Sequence, residues 1–150
     1  MIIHAHELVG ELRQDYRIDP LQKMIGDRVY VPVDEDWFDR EFAEALRVLL
    51  SELRLGGWIS ERNDCDDLAG WGRLLAQRLH AGTPPREGVP MESAIAIGEF
   101  WYFRNGNQVR EHSLIIARFA NRKVGFMHGQ TQERVTLTEP ERISCTGLRF

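Results

Sequence analysis

The sequence predicts an α+β fold, with N-terminal helices packed on an antiparallel β-sheet around one core. Two observations lead there. Apolar residues recur at helical spacing from about 36 to 54 and again from 64 to 81. The second half, from about 93 to 145, is instead β-branched and aromatic and is cut by tight-turn signals. Runs of helix followed by runs of strand read as α+β.

The elements follow in chain order. Glu7 to Tyr16 reads as a short helix, with Leu8 and Leu12 four residues apart. Arg28-Val29-Tyr30-Val31-Pro32-Val33 is extended, and Pro32, which has no N–H to donate, assigns it to a sheet edge. Asp34-Glu35-Asp36 offers N-cap chemistry and negative charge at a helix start. Trp37, Phe38, Phe42, Ala45, Leu46, Leu49, Leu50 and Leu53 then form the stripe of a helix over 36–54, stopped by Gly56-Gly57. A second helix starts near Asp64 and carries Leu68, Trp71, Leu74, Leu75 and Leu79 on one face. Gly82 and Thr83-Pro84-Pro85 end it. The loop to Met91 contains three prolines. Strands are expected at 94–104, 108–119 and 124–128, with shorter ones at 134–138 and 142–145. Asn105-Gly106 and Asn121-Arg122 are the hairpin turns.

Composition narrows the function. The chain has 150 residues, with 19 Lys+Arg against 23 Asp+Glu, a net charge of −4 and a pI near 5.7. That balance excludes a nucleic-acid binder held by phosphate contacts. No apolar run is long enough for a membrane span, and Met1 to Glu7 has no signal-peptide pattern, so a cytoplasmic protein in one domain, 1–150, is expected, with 1–33 the least readable part. Two cysteines, Cys65 and Cys145, make no disulfide framework.

The sharpest local feature is Asn63-Asp64-Cys65-Asp66-Asp67-Leu68-Ala69. It sets a cysteine in the first turn of a helix, where free N–H groups and the helix dipole stabilise a thiolate. Asp64, Asp66 and Asp67 oppose that by like charge, so an activated thiol needs a cationic partner. His112 is the candidate, since alternation sets it with Leu114 and Ile116 on the apolar side of a strand, toward the helix layer. A two-residue loop at Asn121-Arg122 brings His112 opposite Thr131. The group that orients the imidazole is therefore sought in 128–131, with Gln130 and His128 as candidates.

A cysteine heading a core helix, followed by a histidine and a polar residue on successive strands, resembles the papain-like and transglutaminase-like cysteine hydrolases. The Asp64-Cys65-Asp66-Asp67 string preceded by Trp37 and Trp58 is similar to the C-terminal cysteine-protease domain of fungal agglutinins and to related phage-type domains. The resemblance spans about 28–138. It implies Cys65 as nucleophile, His112 as base, a peptide or amide substrate, and Asp66 and Asp67 as ligands of Ca2+ or Mn2+. Two departures stand out. His128-Gly129-Gln130 occupies the place of the family's acidic residue and Pro-Gln, and no glutamine precedes Cys65 to build an oxyanion hole; Asn63 or Ser60, with the Cys65 N–H, stands in. The alternative they motivate is a catalytically incomplete structural or binding module, phage-related and part of a virion. A homodimer through an exposed edge near Tyr30 is a further expectation.

Overall fold

The computed structural model describes residues 1–16, 23–24, 26–55, 64–106 and 111–150. In chain order it has β1 (Ile3–His4), α1 (Ala5–Tyr16), β2 (Lys23–Met24), β3 (Val29–Val31), α2 (Glu35–Trp37), a π-helical turn (Phe38–Phe42), α3 (Ala43–Glu52), α4 (Cys65–Ala81), β4 (Ala94–Ile95), β5 (Ile97–Phe103), a 3-10 turn (Arg104–Gly106), β6 (Glu111–Arg118), β7 (Val124–Met127), β8 (Arg134–Val135), α5 (Glu139–Ile143) and β9 (Gly147–Arg149).

The strands form two sheets, which corrects the expectation of helices on one antiparallel sheet. One has the order β1-β3-β4, and the other β2-β9-β5-β6-β7-β8. Each contains a parallel pair, β3 with β4 and β2 with β9, so neither is purely antiparallel. The reason lies in the N-terminal segment. The least readable part of the sequence, it supplies β1, β2 and β3. The chain from β4 into β5 joins the sheets, because the Ala96 N–H donates to the Val31 carbonyl and the Arg118 N–H to that of Ala96.

Several local expectations change for stated reasons. β3 is the middle strand of its sheet, and Tyr30 is fully buried, so the exposed edge expected to mediate a dimer is not there. Pro32 falls just after the strand. Val31 and Val33, on either side of it, accept from Ala96 and Ala120. Of the strand expected at 142–145, Arg142 and Ile143 instead end α5 and Ser144 is its C-cap. Thr138 caps that helix, its Oγ1 accepting from the Glu141 N–H while Glu141 accepts from the Thr138 N–H, a reciprocal capping box.

Asp34 starts the first helical layer as predicted, its carboxylate accepting from the Trp37 N–H at 2.8 Å. α4 has the expected limits, with Asp64 at the N-cap and Gly82 at the C-cap, but not the expected buried face. Leu68, Ala69, Gly72 and Ala76 are buried, whereas Trp71 and Leu74 are exposed. Small residues let α4 lie close on the sheet. A Cβ at Gly72 would overlap the Ile115 side chain of β6, and one at Gly70 would stand 2.9 Å from a Glu99 oxygen.

Charged groups fasten the layers. Arg118, with its side chain 4% exposed, forms a two-pronged pair with Glu11 of α1 at 2.8 and 2.9 Å. Arg134 lies 4.9 Å from the Phe119 ring centre and pairs with Glu35 and Asp39, joining β8 to the first helical layer. Among the described residues, no helix is long and apolar enough to cross a membrane.

Candidate functional site

Cys65 owes its position to the close packing of α4. Gly129 meets that helix at the backbone of Leu68 and Ala69, where a Cβ would lie 2.8 Å from the Leu68 carbonyl carbon. The turn after β7 is thereby drawn up to the head of the helix. Cys65 is half-buried against β6, and its sulfur receives the Ser113 backbone N–H. The thiol is nevertheless pushed above its ordinary value of 9.0, chiefly by burial and further by the Asp66 and Asp64 charges. The helix-end location does not prevail over them.

His112, on β6, does not face α4 as alternation suggested. Ile115, which meets Gly72, and Glu99, which meets Arg73 at 3.3 Å, carry the α4 side of the sheet. His112 pairs with Tyr102 across the β5–β6 ladder and so lies in the other row, that of Phe100, Leu114 and Phe126. Tyr16 of α1 packs against Phe100 and Phe126 there. The assumption behind the misreading was that the only apolar side of the strand faces the second helix. Both sides are buried.

Around His112 stand Tyr102 at 5.9 Å and His128 at 5.8 Å between ring centres, both edge-on. The Arg104 guanidinium is 3.4 Å from the His112 Nε2. A guanidinium only donates, so this nitrogen is placed to accept, as the neutral ring does. His128 is half-buried, and burial, then the Arg104 charge, hold its pKa below the ordinary 6.5.

The structure separates the two orienting candidates. His128 stands beside His112, whereas Gln130 is exposed in the turn after it. Extending the Ile115–Met127 pairing would set His112 opposite Gln130, but the ladder stops at Met127. The turn then closes on itself, Gln132 N–H to His128 carbonyl at 2.9 Å and Gln132 Nε2 to Gly129 carbonyl at 2.6 Å. Asn63 and Ser60, the oxyanion candidates, and Trp58 lie outside the described residues. Tyr102 and Arg104 were missed by sequence reasoning. A two-residue Asn105-Gly106 hairpin would have paired neither with His112, and the longer connection from Arg104 to Glu111 changes the register.

Asp64, Asp66 and Asp67 place three carboxylate oxygens within 4.8 Å of one another. Asp66 is pushed up to about 6, first by its hydrogen bond to Asp64, whose own pKa is lowered by the same bond. The two share a proton, and Ca2+ or Mn2+ held there would have to displace it.

Two clefts lie away from this cluster, around the C-terminal turn of α4. The larger, about 620 Å³, is walled by Trp37, Asp34, Glu41, Leu79, His80 and Arg86, among others. Trp37 is held by stacking on Phe42, with ring centres 5.6 Å apart. His80 Nε2 is 3.0 Å from the Ser93 carbonyl, which fixes the proton on that nitrogen and leaves Nδ1 as an acceptor in the neutral ring. The second cleft, about 500 Å³, lies under the loop 82–93 and shares Val31, His80, Thr83 and Arg86 with the first.

No family model matches the chain, and no curated protein matches it. Solved structures do. One is described as the PSL1a-E64 complex; it has a TM-score of 0.75 and 14% identity, over 99% of this chain and 51% of that one. Another is Polyporus squamosus lectin bound to a human-type influenza-binding epitope, Neu5Acα2-6Galβ1-4GlcNAc, with a TM-score of 0.72 and 15% identity, over 99% of this chain and 49% of that one. The chain spans about half the length of these proteins, and at such identity the likeness is one of fold. It corrects the reading made from the Cys65 string. Membership of the papain-like or transglutaminase-like hydrolases, the cysteine-protease function and the peptide or amide substrate find no family match, and the fold recurs in a lectin.

Proposed function

We propose that this chain is a binding module and that its ligand is a carbohydrate. The observation that carries the proposal is the fold shared over 99% of the chain with a lectin solved with a sialylated trisaccharide. Because the chain spans only half of that protein, the sugar site is argued from this chain's own residues. The cleft at Trp37 has the chemistry a pyranose needs. An indole packs against the apolar C–H face of the ring. Asp34 and Glu41 accept from hydroxyls, and Arg86 donates to them. Its volume is within the usual range for small-molecule sites.

Isothermal titration with Neu5Acα2-6Galβ1-4GlcNAc and its component sugars tests the proposal. Saturable binding that Trp37→Ala weakens at least tenfold is expected, a loss of about 1.4 kcal/mol. If none of these sugars binds at millimolar concentration to folded protein, the proposal fails.

A further inference from the structure

We infer that the two clefts are adjacent subsites of one groove, which takes an oligosaccharide of two or more units rather than a single sugar. The inference rests on the carbohydrate reading above and extends it to the size of the ligand and its direction. Val31, His80, Thr83 and Arg86 line both clefts, so the division between them is a shared wall. Each cleft by itself is in the size range that encloses a drug-sized molecule, and together they are larger than one pyranose requires.

The two ends differ in chemistry. The Trp37 end offers an aromatic platform with Leu79 and Pro32 beside it, suited to a ring stacked by its C–H face. The far end, under the loop 82–93, offers Asp27, Glu92 and Arg73. Arg73 pairs through its Nε with the buried Glu99 at 3.3 Å, and the two carboxylates are the acceptors for hydroxyls. At the junction stands Arg86. Among the described residues, no carboxylate is in ion-pair distance of it, and the structure therefore assigns its guanidinium to the ligand at the linkage between units.

The loop that lines the far subsite is anchored at both ends. Gln77 of α4 holds the Ile95 backbone with both ends of its amide, at 3.0 and 3.1 Å, and His80 holds the Ser93 carbonyl. The loop's return to β4 is thus pinned to α4. Thr83 Oγ1 donates to the His80 carbonyl at 2.7 Å and fixes its departure.

The test compares galactose and GlcNAc with Galβ1-4GlcNAc and the sialylated trisaccharide by calorimetry, on the whole chain and on three variants. The disaccharide or trisaccharide is expected to bind about tenfold or more tighter than either single sugar. Glu92→Gln together with Asp27→Asn should abolish that gain. Trp37→Ala should weaken every ligand, and Arg86→Ala should weaken those with a linkage more than the single sugars. Equal affinity for one and several units, or a chain-length gain that survives both far-end substitutions, overturns the inference while the carbohydrate reading stands. Failure of every sugar to bind removes both. Circular dichroism of each variant separates lost binding from lost folding.

Discussion

The Arg104 guanidinium stands 3.4 Å from the Nε2 of His112, and its charge also depresses the pKa of His128. Burial first, and that cation second, favour the neutral form of His128. His128 should therefore titrate below 6.5 in the folded chain. A base with a depressed pKa contributes stability that is full above its unfolded value and is lost as the pH falls through the depressed one. A histidine NMR titration checks this. Arg104→Gln should raise the His128 midpoint, and a midpoint already at or above 6.5 in the unmodified chain would refute the assignment.

The Cys65 thiol should be less reactive than a free one. Burial and the Asp66 and Asp64 charges hold it above 9.0, and burial takes Cys145 to about 11. Iodoacetamide at neutral pH should alkylate Cys65 more slowly than a model thiol, with Cys145→Ala removing any contribution from the second cysteine. Asp66→Asn should speed the reaction, because it removes one of the opposing charges. Rapid alkylation that persists well below pH 8 would contradict the electrostatics described here.

The shared proton of Asp64 and Asp66 gives a distinct pH signature. Asp66 is raised to about 6, so its contribution to stability is complete below its unfolded value of 3.8 and is lost as the pH rises through about 6. The Asp64 contribution has the opposite sense, present above its unfolded value and lost as the pH falls. Thermal melts of the unmodified chain and of Asp66→Asn, compared between pH 4 and 7, should diverge across that interval. We propose that Ca2+ or Mn2+ at Asp64, Asp66 and Asp67 lowers the Asp66 midpoint by competing with the proton. A midpoint unmoved by millimolar metal would remove the cation from these carboxylates.

Gly72 should tolerate no larger side chain. Its missing Cβ is what admits Ile115 of β6. Gly72→Val is expected to cost about 1–3 kcal/mol or more, as overpacking does, and a shortened Ile115→Ala partner should recover part of it. Urea unfolding of the single and double variants measures the coupling. Independent, additive losses would show that α4 does not rest on this contact.

The sequence made the frame of the site legible and hid its facing. Asp34, Asp64 and Gly82 marked helix ends correctly, since a cap acts on neighbouring backbone and needs no tertiary context. The register of β6 did not follow from its turns. Asn105 has φ +60° and Arg122 φ +68°, and the connections around them are longer than two residues. The buried side of α4 was hidden because periodicity weighs Trp71 and Leu74 above Ala69 and Gly72, whereas close approach to a sheet selects the small residues. The capping box at Thr138 and Glu141 was readable and was passed over for a strand. Pairing of β1, β2 and β3 joins positions far apart in sequence, which no local pattern encodes. The resemblance drawn from the Asp64–Asp67 string spoke for one helix end, whereas the likeness to the solved structures spans nearly the whole chain.

The most direct measurement is the position of bound sugar on the protein, followed by the indole N–H resonances of an isotope-labelled chain. On addition of Galβ1-4GlcNAc, the Trp37 indole signal should shift in a saturable way, with the backbone signals of Thr83 and Arg86 moving beside it. The ring signals of His112 and His128 should stay fixed. Shifts centred on Cys65, His112 and His128, with Trp37 unmoved, would contradict the account.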